Sequence, residues 1–109
     1  MEAAPAPGIV MRIHRIRAEV VVAACDEELV GRDLPVGTVG RTVRVSAHFY
    51  GDRRVAREEL LLALRRATIA NLLGPRVCSL ACAEGILRSE ATGTLGGVPH
   101  AEIISMTEP

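Results

Sequence analysis

Side chains able to do chemistry are few in this chain, and the densest group lies near its carboxyl end. There "GTLGGVPHAEII", Gly93 to Ile104, sets Gly96 and Gly97 just ahead of Pro99, His100 and Glu102. The glycines permit backbone angles and close approaches denied to other residues, while Pro99 lacks an amide hydrogen and holds Val98 extended. A segment built this way can present His100 and free backbone groups to a ligand, with Glu102 on the same side of the following strand. It equally describes a rigid turn or bulge in which His100 satisfies a carbonyl. As a phosphate loop the pattern fails: no Lys-Ser/Thr follows, no G-x-G-x-x-G occurs, and the next element reads as strand where a helix is required.

Cys78 and Cys82 are four residues apart, so on a helix they share a face, and such a pair can hold a metal when other ligands converge. Neither belongs to a Cys-x-x-Cys knuckle, and their neighbours Val77, Leu80, Ala81 and Ala83 mark them as small core residues, with no metal or other cofactor expected. Cys25 ends an apolar strand and reads the same way. His14, His48 and His100 would form a metal or acid/base cluster only if their three strands were neighbours, and no H-x-H or H-E-x-x-H pattern occurs. Arg53, Arg54 and Arg57 precede or open a helix, and Arg41 and Arg44 lie on the preceding strand. Five guanidiniums about one edge suit phosphates or an RNA groove; paired with Glu58 and Glu59 they are solvated charge. Asn71, the single asparagine, could donate to a partner or cap that helix's end, and reads rather as the cap.

These groups need a scaffold, and 109 residues are enough for one domain with one core. Thirteen acidic residues balance thirteen basic ones, so no net field gathers polyanions and nucleic-acid binding would have to come from a local patch. Every basic residue is Arg, and only Phe49 and Tyr50 are aromatic, so the core is packed from Leu, Ile, Val and Ala and base-stacking platforms are scarce. Apolar runs such as "VVVAAC" and "LLLAL" are far too short to span a bilayer. The opening "MEAAPAPG" has neither a basic start nor an apolar signal core, so a cytoplasmic location is expected. Three cysteines imply no disulfide framework.

Residues 1–8 read as a mobile Pro/Ala tail and residues 9–109 as a single α+β domain. "IVMRIHRI" alternates like a strand with one wetter face, "EVVVAACD" is apolar on both faces like a central strand, and Arg17-Ala18 is short enough for a hairpin. Asp26 would cap a short helical turn through Glu27 and Glu28, after which "GRDLPVGTVG" reads as an irregular loop. "TVRVSAHFY" predicts a strand over residues 42–50. "VAREELLLALRRATIANLLGPR" carries the strongest helix signal, ended by Gly74-Pro75, and Pro75 opens a second helix that closes at Gly85. A loop, "ILRSEATGTLGG", with at most a short extended piece, leads to the last strand, "HAEIISM". The architecture expected is a small antiparallel sheet of three to four strands with a helical pair packed on one face.

Five segments, "IHR", "CDEELVGR", "FYGD", "ATIANLLG" and "GGVPHAEI", together resemble the archaeal domain of unknown function 424 family, in order from about Ile13 to Met106. The resemblance implies a small archaeal, cytoplasmic protein and carries no established activity or catalytic residue. The "MEAAPAPGIV" extension departs from the family pattern, which begins near Met11. The function expected is a non-catalytic binding or adaptor module for RNA, translation components or another protein, acting through the Arg edge and the "GGVPHAE" loop. The alternative is a small enzyme using His100 and Glu102 as acid and base, which would require a cleft holding His100 beside a carboxylate.

Overall fold

A computed structural model describes residues 8–104. Most of the expected tail, residues 1–7, and the last five residues lie outside the described residues. Gly8 itself is tied into the fold: its carbonyl accepts from the Glu27 amide at 2.9 Å and from Arg76 at 3.3 Å.

Strands β1 (Ile9–Ile16) and β2 (Glu19–Asp26) form the expected antiparallel hairpin. Strand β3 (Asp33–Val36) pairs with β4 (Arg41–Arg44) in a separate two-stranded sheet. A single helical turn, α1 (Ala47–Tyr50), then leads through β5 (Arg54–Val55) to helix α2 (Arg57–Arg66). Strand β6 (Ile69–Leu73), helix α3 (Pro75–Ala83), β7 (Gly93–Leu95) and β8 (Val98–Ile104) follow among the described residues. The large sheet has six strands in the order β5-β1-β2-β6-β8-β7, and β2 and β6 run parallel. The α+β class and the helical pair stand, while the expectation of three to four antiparallel strands is corrected to a six-stranded mixed sheet plus a two-stranded one.

Three elements account for the difference. The long helix expected through Leu73 stops at Arg66, because Thr68 docks on β2: its amide donates to the Val20 carbonyl at 2.9 Å and its hydroxyl accepts from the Val20 amide at 2.8 Å. Residues 69–73 then enter the middle of the sheet, where β2 and β8 flank them, and ladder bonds on both sides outweigh local helix propensity. The strand expected over 42–50 ends at Arg44. Ser46 accepts from the amides of His48 and Phe49 at 3.1 and 3.3 Å, and this cap starts α1. The loop expected over 31–40 contains β3.

Asp26 does not cap the turn that follows it. Its carboxylate reaches across to α3, where Oδ2 accepts from the Arg76 amide and Oδ1 from the Val77 amide, both at 2.9 Å. These are the second and third residues of the helix, whose own cap position, Gly74, has no side chain to offer. Glycine is required there. At φ 125° a Cβ would lie 2.3 Å from Asp26 Cγ. A fully buried carboxylate thus joins the central strand to α3, and the dipole of the helix start and Arg76, 3.5 Å away, offset its charge.

Helices α2 and α3 cover one face of the large sheet, over Ile9, Met11, Val22, Ala24, Leu72 and Ala101. The β3–β4 hairpin and α1 cover part of the other, where Val10, Ala23, Cys25 and Leu73 pack under Leu34, Val45 and Tyr50. Among the described residues no helix is long and apolar enough to cross a membrane.

Candidate functional site

The second sheet face is only partly covered, and its rows follow from the strand register. Val10, Cys25, Leu73 and His100 form one row, beneath the β3–β4 hairpin. Arg12, Ala23, Asn71 and Glu102 form the next. His14, Val21, Ile69 and Ile104 form a third row, which the hairpin does not reach. Its inner members are half-buried and Ile104 is 65% exposed; beyond it, at the turn, Ile16 is 57% exposed.

Helix α1 forms the rim of this open half. The His14 ring stacks on Phe49 with centroids 5.3 Å apart, and its Nε2–H donates to the Phe49 carbonyl at 2.7 Å. In neutral His14 the proton is therefore on Nε2, leaving Nδ1 as an acceptor. Phe49 meets Tyr50 edge to face at 4.8 Å. The Tyr50 hydroxyl donates to Asn71 Oδ1 at 2.6 Å, which orients the amide and turns its Nδ2 donors away from the tyrosine. Burial pushes the Tyr50 phenol up, so it stays a donor at neutral pH. Arg12 donates to the His48 carbonyl at 2.9 Å, holding α1 from the sheet edge.

His100 and Glu102 share this face, as their spacing requires. His100 is half-buried opposite Leu73 and Gly93, whereas Glu102 is exposed opposite Asn71. Gly96 and Gly97, at φ 57° and 80°, are the two-residue turn of the β7–β8 hairpin. Gly96 also lies against β3, where a Cβ would be 2.7 Å from the Pro35 carbonyl oxygen. Pro99 sits where β6 has ended; only its carbonyl is used, by the Gly74 amide at 2.8 Å. The motif thus builds a hairpin whose strand carries His100 and Glu102.

The three histidines are apart. His14 on β1 and His100 on β8 are three strands from each other, about 14 Å across the sheet at the usual strand spacing, and two rows apart along it, and His48 is exposed on α1. Among the described residues no group of three or more His, Cys, Asp or Glu side chains is placed to hold a metal ion. Cys25 is fully buried, and burial, with the Asp26 and Glu28 charges, pushes its thiol up to about 12. Burial likewise raises Cys78 to about 11. Neither is a nucleophile at neutral pH.

The five arginines are spread over β4, which carries Arg41 and Arg44, the segment before β5, β5 and α2, and four of them meet carboxylates. Arg44 pairs with Asp33 across the small sheet at 2.5 Å, Arg53 with Glu59 at 2.5 Å, Arg54 with Glu27 at 2.6 Å, and Arg57 with Glu84. Arg41 is exposed on β4. Ile16, Val21, Ile69 and Ile104 line the open face and were not singled out for binding in the sequence, while Asn71, read there as a helix cap, stands beside them bonded to buried Tyr50. Alternation along the first, second and last strands is the signal for Ile16, Val21 and Ile104, whereas nothing local marks Ile69.

The family model described as "Protein of unknown function (DUF424)" matches residues 14–106. The chain belongs to the DUF424 family. The DUF424 chain is also similar to a solved structure titled an uncharacterized conserved protein from Methanopyrus kandleri, with 32% sequence identity and a TM-score of 0.78 over 93% of this chain and 95% of that one. No curated protein matches this DUF424 sequence significantly. In the DUF424 fold described above, the segments that carry the resemblance meet: "IHR", "FYGD", "ATIANLLG" and "GGVPHAEI" supply His14, Tyr50, Asn71 and Glu102 to one sheet face, and "CDEELVGR" supplies the Asp26 clasp behind it.

Proposed function

We propose that this DUF424 chain is a non-catalytic protein-binding module whose docking surface is the open half of the second sheet face. The observation that carries this reading is the third row. Four strands align His14, Val21, Ile69 and Ile104 beside the polar groups of Asn71 and Glu102, with Ile16 at the end. An apolar strip flanked by a few directed donors and acceptors is the composition of a protein interface core and its rim. The aromatic rim is held by its own hydrogen bonds, so the surface needs little ordering on binding.

RNA or a translation component reached through RNA is the weaker reading. Four of the five arginines that would meet phosphates are engaged by carboxylates, and the net charge is zero. The enzyme reading with His100 and Glu102 as acid and base has less support, since the two clefts described lie along β1, three strands from the β8 that carries the pair. The test is affinity capture from native cytosol by the wild-type chain and by Ile16→Arg and Ile104→Arg, with and without ribonuclease. Both substitutions are at exposed positions and leave the fold intact. A specific protein retained by the wild type, lost from both variants and insensitive to ribonuclease is the expected result. Retention that ribonuclease abolishes, or that both variants preserve, overturns the reading.

A further inference from the structure

The outer edge of β1 has a different character from the sheet face. Strand β1 is eight residues long, but its outer neighbour β5 is two residues long and pairs only with Ile9 and Val10. The Met11 amide makes a long bond to the Arg53 carbonyl at 3.4 Å, and residues 51–53 stay beside Met11 and Arg12, where a Cβ on Gly51 would lie 2.8 Å from the Met11 carbonyl oxygen. Backbone groups of alternate residues point the same way along a strand, so the N–H and C=O of Ile13 and Arg15 face outward. Among the described residues nothing pairs with them.

Two clefts flank this stretch of edge. One, of about 390 Å³, is lined by Met11, Arg12, Ile13 and residues 51–53. The other, of about 180 Å³, lies between β1 and α2, where Ile13 and Leu62 are 42% and 51% exposed and Arg15 and Arg66 stand beside them. A strand added here would drop alternate side chains between Ile13 and Leu62. Its intervening side chains would pass Arg12.

Charge decides which strand. Around the edge stand Arg12, Arg15, Arg53 and Arg66 against Asp52 and Glu59, and Glu59 is already paired with Arg53. A second copy of β1 would add its own Arg12 and Arg15 to the arginines already at this edge, and like charges across a ladder repel. We infer that the Ile13–Arg15 edge of β1 accepts an extended acidic segment of a partner protein as an added strand, with apolar side chains alternating with its carboxylates. The inference is independent of the sheet-face surface, since it rests on unpaired backbone and the two clefts.

The probe is a fluorescein-labelled, end-capped octapeptide of alternating valine and aspartate, with an alternating valine and lysine peptide as control. Anisotropy titrations read binding, and amide exchange locates it. The aspartate peptide binds, the lysine peptide does not, and the Ile13 and Arg15 amides become protected. Ile13→Pro removes the outward N–H at an edge position where proline is tolerated, and it weakens binding at least tenfold. Arg12→Glu/Arg15→Glu, changed at two exposed positions, does the same should the proline variant unfold. Ile104→Arg leaves peptide binding unchanged, which separates this surface from the sheet face. Equal binding of both peptides, unchanged binding in Ile13→Pro and in the double reversal, or a dimer of the free protein with the Ile13 and Arg15 amides already protected each overturns the inference.

Discussion

In the Asp26→Asn protein the side chain keeps its shape but one of its two oxygens becomes an amide donor. The native carboxylate accepts two backbone amides of α3 at 2.9 Å each, in a site from which water is excluded. Asparagine can serve one of them. Its nitrogen then faces the other N–H, so a buried donor is left unmatched, at a cost of about 1–3 kcal/mol, and the charge assistance of the remaining bond, about 1 kcal/mol, is lost. The total is about 2–4 kcal/mol, against a stability of about 5–15 kcal/mol for a domain of this size. Asp26→Ala removes both acceptors and is expected to cost about 3–5 kcal/mol, as when one partner of a buried charged contact is deleted. Urea denaturation followed by far-ultraviolet circular dichroism at pH 7 measures both losses, and amide exchange at Arg76 and Val77 localises them to the start of α3. A loss under about 1 kcal/mol, or unchanged exchange at those two amides, would show that Asp26 does not hold sheet and helix together.

Gly96→Ala should destabilise more than Gly97→Ala, because both residues have positive φ but only at Gly96 would the new Cβ press on the Pro35 carbonyl and Leu34; equal urea midpoints would contradict the packing of that turn on β3. With a thiol reagent at pH 8, half-buried Cys82 should react and Cys25 and Cys78 should not until the protein unfolds, since burial raises both of the latter thiols; three equivalents reacting quickly in the native protein would refute this. Acid should weaken the fold through Glu28, whose hydrogen bonds from Arg76 hold its carboxyl down at about 2 against an ordinary value of 4.5. A depressed carboxylate stabilises the folded state above its ordinary value and loses that contribution as pH falls through its folded one, so urea midpoints should decline from about pH 4.5 toward pH 2. Arg76→Ala should flatten part of that decline, and a wild-type profile flat over this range would contradict the pairing.

Local pattern revealed the β1–β2 hairpin, the onset of α2 and the glycine turn, because each depends on residues within a few positions of one another. Alternation in "IVMRIHRI", the two-sided apolar "EVVVAACD" and the Gly96-Gly97 pair all act locally. The central strand β6 was hidden for a physical reason: flanked by strands on both edges and half-buried even on its more open face, "IANLL" has the near-continuous apolar character that a buried helix also has. What decides it is Thr68 docking on Val20, which lies 48 residues away. The same distance problem concealed Asp26, read as the cap of the adjacent turn although its partners lie 50 and 51 residues on. In "VSAHFY" the alternation runs past Arg44 by coincidence, and Ser46 was the available sign of a helix start. The polar residues of the site inherited these errors. Asn71, taken for a helix cap, faces the open sheet only once β6 is a strand.

The most direct measurement of the central claim places a photoreactive phenylalanine derivative at position 104, on the open sheet face, and separately at position 39, whose valine is 77% exposed in the β3–β4 turn. Irradiation in native cytosol should give one discrete protein adduct from position 104 that Ile16→Arg abolishes and ribonuclease leaves intact. Position 39 should give no such adduct. Adducts of the same identity and yield from both positions, or an adduct at position 104 that contains RNA, would contradict the assignment of the open sheet face as a protein-docking surface.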